Sequence, residues 1–167
     1  MDPATPSPTT QPLPLRSALG RFTTGVTIIT CVGADGSRAG ITANSFNALS
    51  LEPPLVLWSL RRTSAAIAAF RAASHFVVNV LAESQVELSR RFASAALDKF
   101  ADGAWSAGLG GAPVLSGCAA VFECEQFAQH DGGDHVLFIG RVLQSSESNL
   151  PPLVYQSGHY RLLGEII

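Results

Sequence analysis

Apolar and polar residues follow one another along this chain in short runs, and the period of each run predicts an element. Leu15, Leu19 and Phe22 recur at helical spacing and predict a short helix over 13–22. The next run, 25–32, is β-branched nearly throughout and predicts a strand. Asp35-Gly36 follows; both central positions of a type I′ turn need positive φ, which this pair tolerates, so a hairpin with a return strand from Arg38 is expected. The run from Leu55 to Leu60 predicts a strand, and its apolar continuity suggests burial on both faces.

Thr63-Ser64 is expected to cap a helix over 65–73, with Ile67 and Phe70 inward. A strand over 76–81 and a second helix over 83–95 follow. Residues 98–117 hold five Gly and one Pro and predict mostly loop. Two late strands, 119–129 and 135–144, are expected around the connection His130-Asp131-Gly132-Gly133-Asp134. In the first, Glu123 and Glu125 share one face while Phe122 and Cys124 share the other, the alternation of a half-buried antiparallel strand. Residues 155–163 are expected to close the sheet. Six or seven short strands with two or three helices predict a mainly β fold, a small β-barrel with a few peripheral helices. Asn79, inside an apolar strand, reads as a core amide with its hydrogen bonds satisfied.

Composition narrows the classes. The 167 residues suit one domain, and 47% hydrophobic with 14% charged residues fits a packed core. Residues 1–12, rich in Pro and Thr, read as a disordered leader without the basic and apolar regions of a secretory signal, and 13–167 as the domain. A net charge of -2, with ten Arg and one Lys scattered, favours neither nucleic acid nor membrane as partner. No apolar stretch reaches the roughly 18 residues of a membrane span. Cys31, Cys118 and Cys124 form an odd set without a C-x-x-C pair, which argues against a disulfide framework or structural zinc and for a reducing cytoplasm.

Candidate chemistry centres on Gly40-Ile41-Thr42-Ala43-Asn44-Ser45-Phe46. Small residues here leave backbone N–H groups, two hydroxyls and an amide free to hold a flat ligand or its phosphate tail. Gly108-Leu109-Gly110-Gly111-Ala112-Pro113 is not a dinucleotide fingerprint: it lacks the third glycine, and Pro113 stands where a helix should run. His130 and His135, five apart across a hairpin loop, lack the fixed partner a metal site needs, so no metal is expected. No nucleophile with its base is visible. Chemistry that asks little of side chains is commonly done by a bound cofactor.

The order and spacing of several segments resemble the short-chain flavin reductases, reductase components of two-component flavin-dependent monooxygenases with the FMN-binding split β-barrel fold. The matching pieces are Arg21-Phe22-Thr23-Thr24-Gly25-Val26-Thr27, Gly40 to Phe46, Pro53-Pro54-Leu55-Val56-Leu57, Phe76 to Leu81, Leu88-Ser89-Arg90-Arg91-Phe92-Ala93, Asp98-Lys99-Phe100, and Gly132-Gly133-Asp134-His135 running into Phe138 to Val142. The resemblance implies that Thr42, Ala43, Asn44 and Ser45 lie along the flavin, and that Ser59, Arg61 and Ser64 serve its ribityl chain and phosphate. It implies Arg91 and Phe92 near the flavin, His135 beside the isoalloxazine where nicotinamide stacks, and Tyr160 near the same face. The implied function is NAD(P)H:flavin oxidoreductase, taking FMN or FAD and NADH (NADPH as alternative). It is implied to be a homodimer that supplies a monooxygenase with diffusible reduced flavin. The absence of an Arg or Lys cluster leans toward NADH. The other reading is a non-catalytic flavin carrier or redox sensor on the same fold.

Overall fold

The computed structural model describes residues 12–166. The expected leader over 1–12 lies outside them, except for Pro12, which opens the first helix. In chain order the elements are α1 (Pro12–Gly20), β1 (Thr24–Gly25), β2 (Thr27–Val32), β3 (Arg38–Ala43), β4 (Asn47–Leu51), β5 (Pro54–Arg61) and α2 (Ile67–Ala72). Then follow β6 (His75–Val80), α3 (Val86–Ala93), β7 (Trp105–Ala107), β8 (Pro113–Leu115), β9 (Ala120–Gly132), β10 (His135–Glu147), β11 (Val154–Gln156) and β12 (His159–Arg161).

Seven strands form one antiparallel sheet in the order β3-β2-β6-β9-β10-β5-β4. Its two ends curl back toward each other. The Ser45 hydroxyl, just past β3, donates to the Ser59 carbonyl of β5 and accepts from the Ser59 N–H, each at 3.0 Å. One side chain thus bridges two strands that share no ladder, and the barrel is split along the seam between them. The fold is mainly β, with few and peripheral helices.

The central strands are buried on both faces. In β2, Ile29 and Cys31 enter one core with Trp58, Phe70, Phe76 and Phe138; Ile28 enters a second with Val77, Leu81, Phe92 and Leu115. Trp58 stacks on Phe138 with centroids 4.6 Å apart, and the Phe70 ring meets it edge-on at 4.8 Å. β2 and β6 are buried on both faces, whereas β5, for which two buried faces were expected, is not. There Val56, Trp58 and Leu60 are buried while the residues between them are half-buried or exposed. The reason is positional: the outer face of β5 borders the seam. Asn79 in β6 is fully buried and satisfied, donating to the Ile28 carbonyl at 3.0 Å and accepting from Leu115 N–H at 2.8 Å.

Several connections depart from expectation. The β2–β3 hairpin is not a type I′ turn, because Asp35 keeps negative φ and only Gly36, at 78°, is left-handed. Gly33 N–H donates to Ser37 O at 2.8 Å across a three-residue loop, and Asp35 accepts from the Ser37 N–H and hydroxyl. The predicted strand over 25–32 breaks at Val26, whose N–H donates to Leu153 O. Residues beyond 154 do not close the main sheet: β11 and β12 join β1 in a separate three-stranded sheet. The predicted loop after Asp98 contains the short β7–β8 hairpin, held where Trp105 packs on Phe92 and Phe100. The Gly108–Pro113 stretch makes a short 3-10 turn and enters β8, not a helix.

Candidate functional site

The seam opens into a cleft of about 1210 Å³. One wall is β3 and its continuation to Ser45. β3 pairs only with β2, so its outer backbone groups lack a strand partner, as at any sheet edge. The opposite wall is the end of β5 and the turn after it: Ser59, Leu60, Arg61, Thr63 and Ser64. Arg61 pairs across the sheet with His135, and Arg62 N–H donates to Asp134 O at 3.0 Å, which ties this turn to the tip of the β9–β10 hairpin. That tip is a two-residue connection with Gly133 at φ 61°, long enough to carry the two 13-residue strands past their predicted ends. Ser64 does cap locally, accepting from Ala66 N–H at 3.3 Å, but α2 proper begins only at Ile67.

The base and far wall come from α3 and the segment 94–100. Phe92 is 1% exposed and packs edge-on against Phe100, with centroids 5.0 Å apart. Gly40 is the residue that lets it sit there: a Cβ at that position would come 2.5 Å from the Phe92 ring. Lys99 donates to Phe92 O at 2.9 Å, a terminal carbonyl of α3, and reaches Gly40 O at 3.5 Å. Burial lowers its pKa below the ordinary lysine value. Arg38 lies over the Phe100 ring, 4.7 Å from its centroid.

His135 Nδ1 and Asp134 Oδ1 are 2.7 Å apart. The imidazole bond, first, and its charge hold the Asp134 carboxyl below the usual carboxylate range. An ionised carboxylate only accepts, so the proton of a neutral imidazole sits on Nδ1 and Nε2 is left as an acceptor.

Of the sequence-derived site residues, the fold brings Thr42, Ala43, Asn44, Ser45, Ser59, Arg61, Ser64, Phe92 and His135 to this cleft. Their modes differ. Ala43 turns a buried side chain away and offers only backbone. The Thr42 hydroxyl is engaged with Ser89 O at 2.6 Å. Arg91 and Tyr160 do not line the cleft. The Arg91 guanidinium bonds Asp98 O at 3.3 Å and pairs with Asp102; the Tyr160 hydroxyl meets Ser89 Oγ at 2.8 Å. Arg91, within α3, thus ties the helix to the segment 98–102, and Tyr160 bonds it from β12. Arg38, Lys99 and Phe100 line the cleft without having been assigned a role. The chain's single lysine, set just after a helix between two aromatics, was the available signal.

The donor set fits a flavin nucleotide: a free strand edge for a flat ring, hydroxyls at Ser59, Thr63 and Ser64, and cationic Arg61 for a phosphate. In the ladder His130 lies opposite Leu137 and His135 opposite Gly132. Among the described residues, no helix is long and apolar enough to cross a membrane.

Comparison with known proteins gives a family model described as the flavin reductase like domain, matching residues 19–164. FMN reductase (NADH) SmoA of Agrobacterium fabrum is 43% identical over 145 residues, covering 87% of this chain and 82% of the relative. A probable flavin reductase of Rhizobium meliloti is 42% identical over 159 residues, covering 93% of this chain; the chain spans 51% of that relative's length. Among solved structures, the Streptomyces globisporus NADH:FAD oxidoreductase SgcE6 in complex with NAD and FAD fragments superposes with a TM-score of 0.87. It is 33% identical, over 92% of this chain and 93% of that one.

Proposed function

The chain belongs to the flavin reductase-like domain family, and from that premise we propose that it is an NAD(P)H:flavin oxidoreductase supplying reduced flavin to a partner flavin-dependent monooxygenase. The observation that carries this reading is the seam cleft. A free strand edge, a row of hydroxyls and a cation run along its walls, with the Asp134–His135 pair beside them. A carrier has no need of that pair.

Bound flavin supplies the hydride acceptor, and the remaining work falls to the chain. Backbone groups of 42–45 with the Asn44 amide hold the ring edge. Ser59, Arg61 and Ser64 take the ribityl phosphate, and Phe92 stiffens the base of the site. His135, its Nδ1 fixed by Asp134, presents Nε2 to the carboxamide of a nicotinamide and so orients the donor ring. An open cleft suits exchange of flavin with solvent and transfer by diffusion to a second protein. Three buried thiols support a reducing, cytoplasmic setting. Unpartnered apolar side chains on and beside α1 support a homodimer.

The test is NADH oxidation followed by absorbance, with and without added FMN or FAD. Oxidation that rises with added flavin is expected. Tight flavin binding without oxidation of NADH or NADPH would replace this reading with the carrier.

A further inference from the structure

Outside the seam cleft, Arg62, Arg71, Arg90, Arg91 and Arg141 each face a carboxylate, while Arg16, Arg21 and Arg161 form no ion pair among the described residues. The three basic residues lining the cleft, Arg38, Arg61 and Lys99, form no ion pair among the described residues. Arg61 stands with Ser59, Ser64 and His135 at one end. Arg38 and Lys99 stand at the other, beyond Gly40. From Arg38 to Ser45 the strand edge runs roughly 20 Å at about 3.3 Å per residue. The cleft therefore has two cationic ends with a strand edge between them.

The second end is built as a receptor. The Arg38 guanidinium lies over the Phe100 ring, 4.7 Å from its centroid, and its planar fork of N–H donors suits an oxyanion. Lys99 is anchored to two carbonyls, and an ammonium carries three donors. The one carboxylate in this wall, Asp98, already accepts from Phe100 N–H at 3.0 Å. Exposed Arg38 and half-buried Lys99 thus stand side by side in this wall as cations that an arriving anion would bridge.

We propose that Arg38, seated on Phe100 beside Lys99, forms a second phosphate-binding subsite that takes the phosphate carried on the adenosine half of a dinucleotide. This rests on the flavin-cleft reading and goes beyond it by selecting among substrates. FAD and both nicotinamide dinucleotides carry a 5′-phosphate on the adenosine half, so the subsite selects in one of two ways: FAD over FMN through that phosphate, or NADPH over NADH through the additional 2′-phosphate.

The experiment titrates flavin-free protein with FMN and with FAD by quenching of flavin fluorescence, and with NAD⁺ and NADP⁺ by calorimetry. It compares wild type, Arg38→Ala, Arg38→Gln, Lys99→Met and, as a control, Arg161→Ala on exposed β12. Loss of one charge-assisted contact predicts about a tenfold rise in Kd for the ligand using the subsite. A rise for FAD but not FMN supports the subsite and assigns it to the flavin adenylate. A rise for NADP⁺ but not NAD⁺ supports it and assigns it to the 2′-phosphate. Arg38→Gln keeps the stem without the charge and is expected to follow Arg38→Ala, and Arg161→Ala to follow wild type. Equal changes for FMN and FAD with none specific to NADP⁺, or no change at all, would overturn the subsite while leaving the cleft intact. Failure of wild type to bind any flavin would instead overturn the reading beneath it.

Discussion

The 2.7 Å contact between Asp134 and His135 joins neighbours in sequence, yet its use depends on Arg61 across the sheet and the cleft beside them. His135→Ala removes the imidazole offered to the nicotinamide without touching the strand edge. It is expected to raise KM for NADH about tenfold while flavin Kd stays within about twofold. Steady-state kinetics and fluorescence titration on the same variant separate the two. Parallel loss of flavin affinity would move His135 out of the nicotinamide role. Asp134→Asn frees the ring and should reproduce part of the KM effect. The buried thiols make a different residue-scale case. Burial pushes Cys31, Cys118 and Cys124 up to about 12 from 9.0. A raised folded value means the native thiol stays protonated where the unfolded one ionises. Its contribution is complete below pH 9 and is lost as pH climbs from 9 toward 12, at about 1.4 kcal/mol per pH unit per thiol. Native protein should resist alkylation at pH 8, and Tm should fall steeply above pH 9. Rapid labelling of a native thiol at pH 8 would contradict the burial.

The elements were legible in proportion to how far their periodicity reflects burial within this chain. β2, β6, β9 and β10 announce themselves, because β-branched runs and strict alternation both follow from a sheet with one or two packed faces. β5 was misjudged on one face, since a strand bordering a ligand cleft keeps apolar residues that its own chain leaves half-covered. β7 and β8 were hidden among glycines, because three-residue strands have no period to read. Two substitutions test the packing. Asn79→Leu preserves volume but strips Leu115 N–H of its acceptor inside the core, which should cost about 1–3 kcal/mol in urea unfolding. Gly140→Ala should cost a similar amount: the added methyl would overlap the Phe76 ring and lie 2.9 Å from Cys124 Cβ, where β10 is locked between β5 and β9. Near-neutral behaviour of either variant would mean that this part of the core is slack.

At the scale of the whole molecule, the sequence named most of the cleft but not the cleft itself. Ser45 and Ser59 are separated by a whole hairpin, and only closure of the barrel shows that one hydroxyl spans the seam. Arg91 and Tyr160 were drawn in by the resemblance, and the fold uses both to fix α3, Arg91 from within the helix to the segment 98–102 and Tyr160 from β12. The helical spacing of Leu15, Leu19 and Phe22 was equally legible, and it predicted a short helix there. In the folded chain these residues are 65%, 65% and 75% exposed. Apolar residues on and just past a helix, with no described residue of their own chain over them, are what a contact with a second copy of the chain would cover. Wild type is therefore expected to show twice its 17.5 kDa mass by light scattering at micromolar concentration. Leu19→Asp with Phe22→Asp should shift it to a monomer, because two charges would be buried unpaired at the contact. A wild-type monomer under these conditions would leave α1 to another partner. A monomeric double variant that also lost flavin affinity, with its fold intact by circular dichroism, would show that the second copy completes the site; unchanged affinity would confine the cleft to one chain.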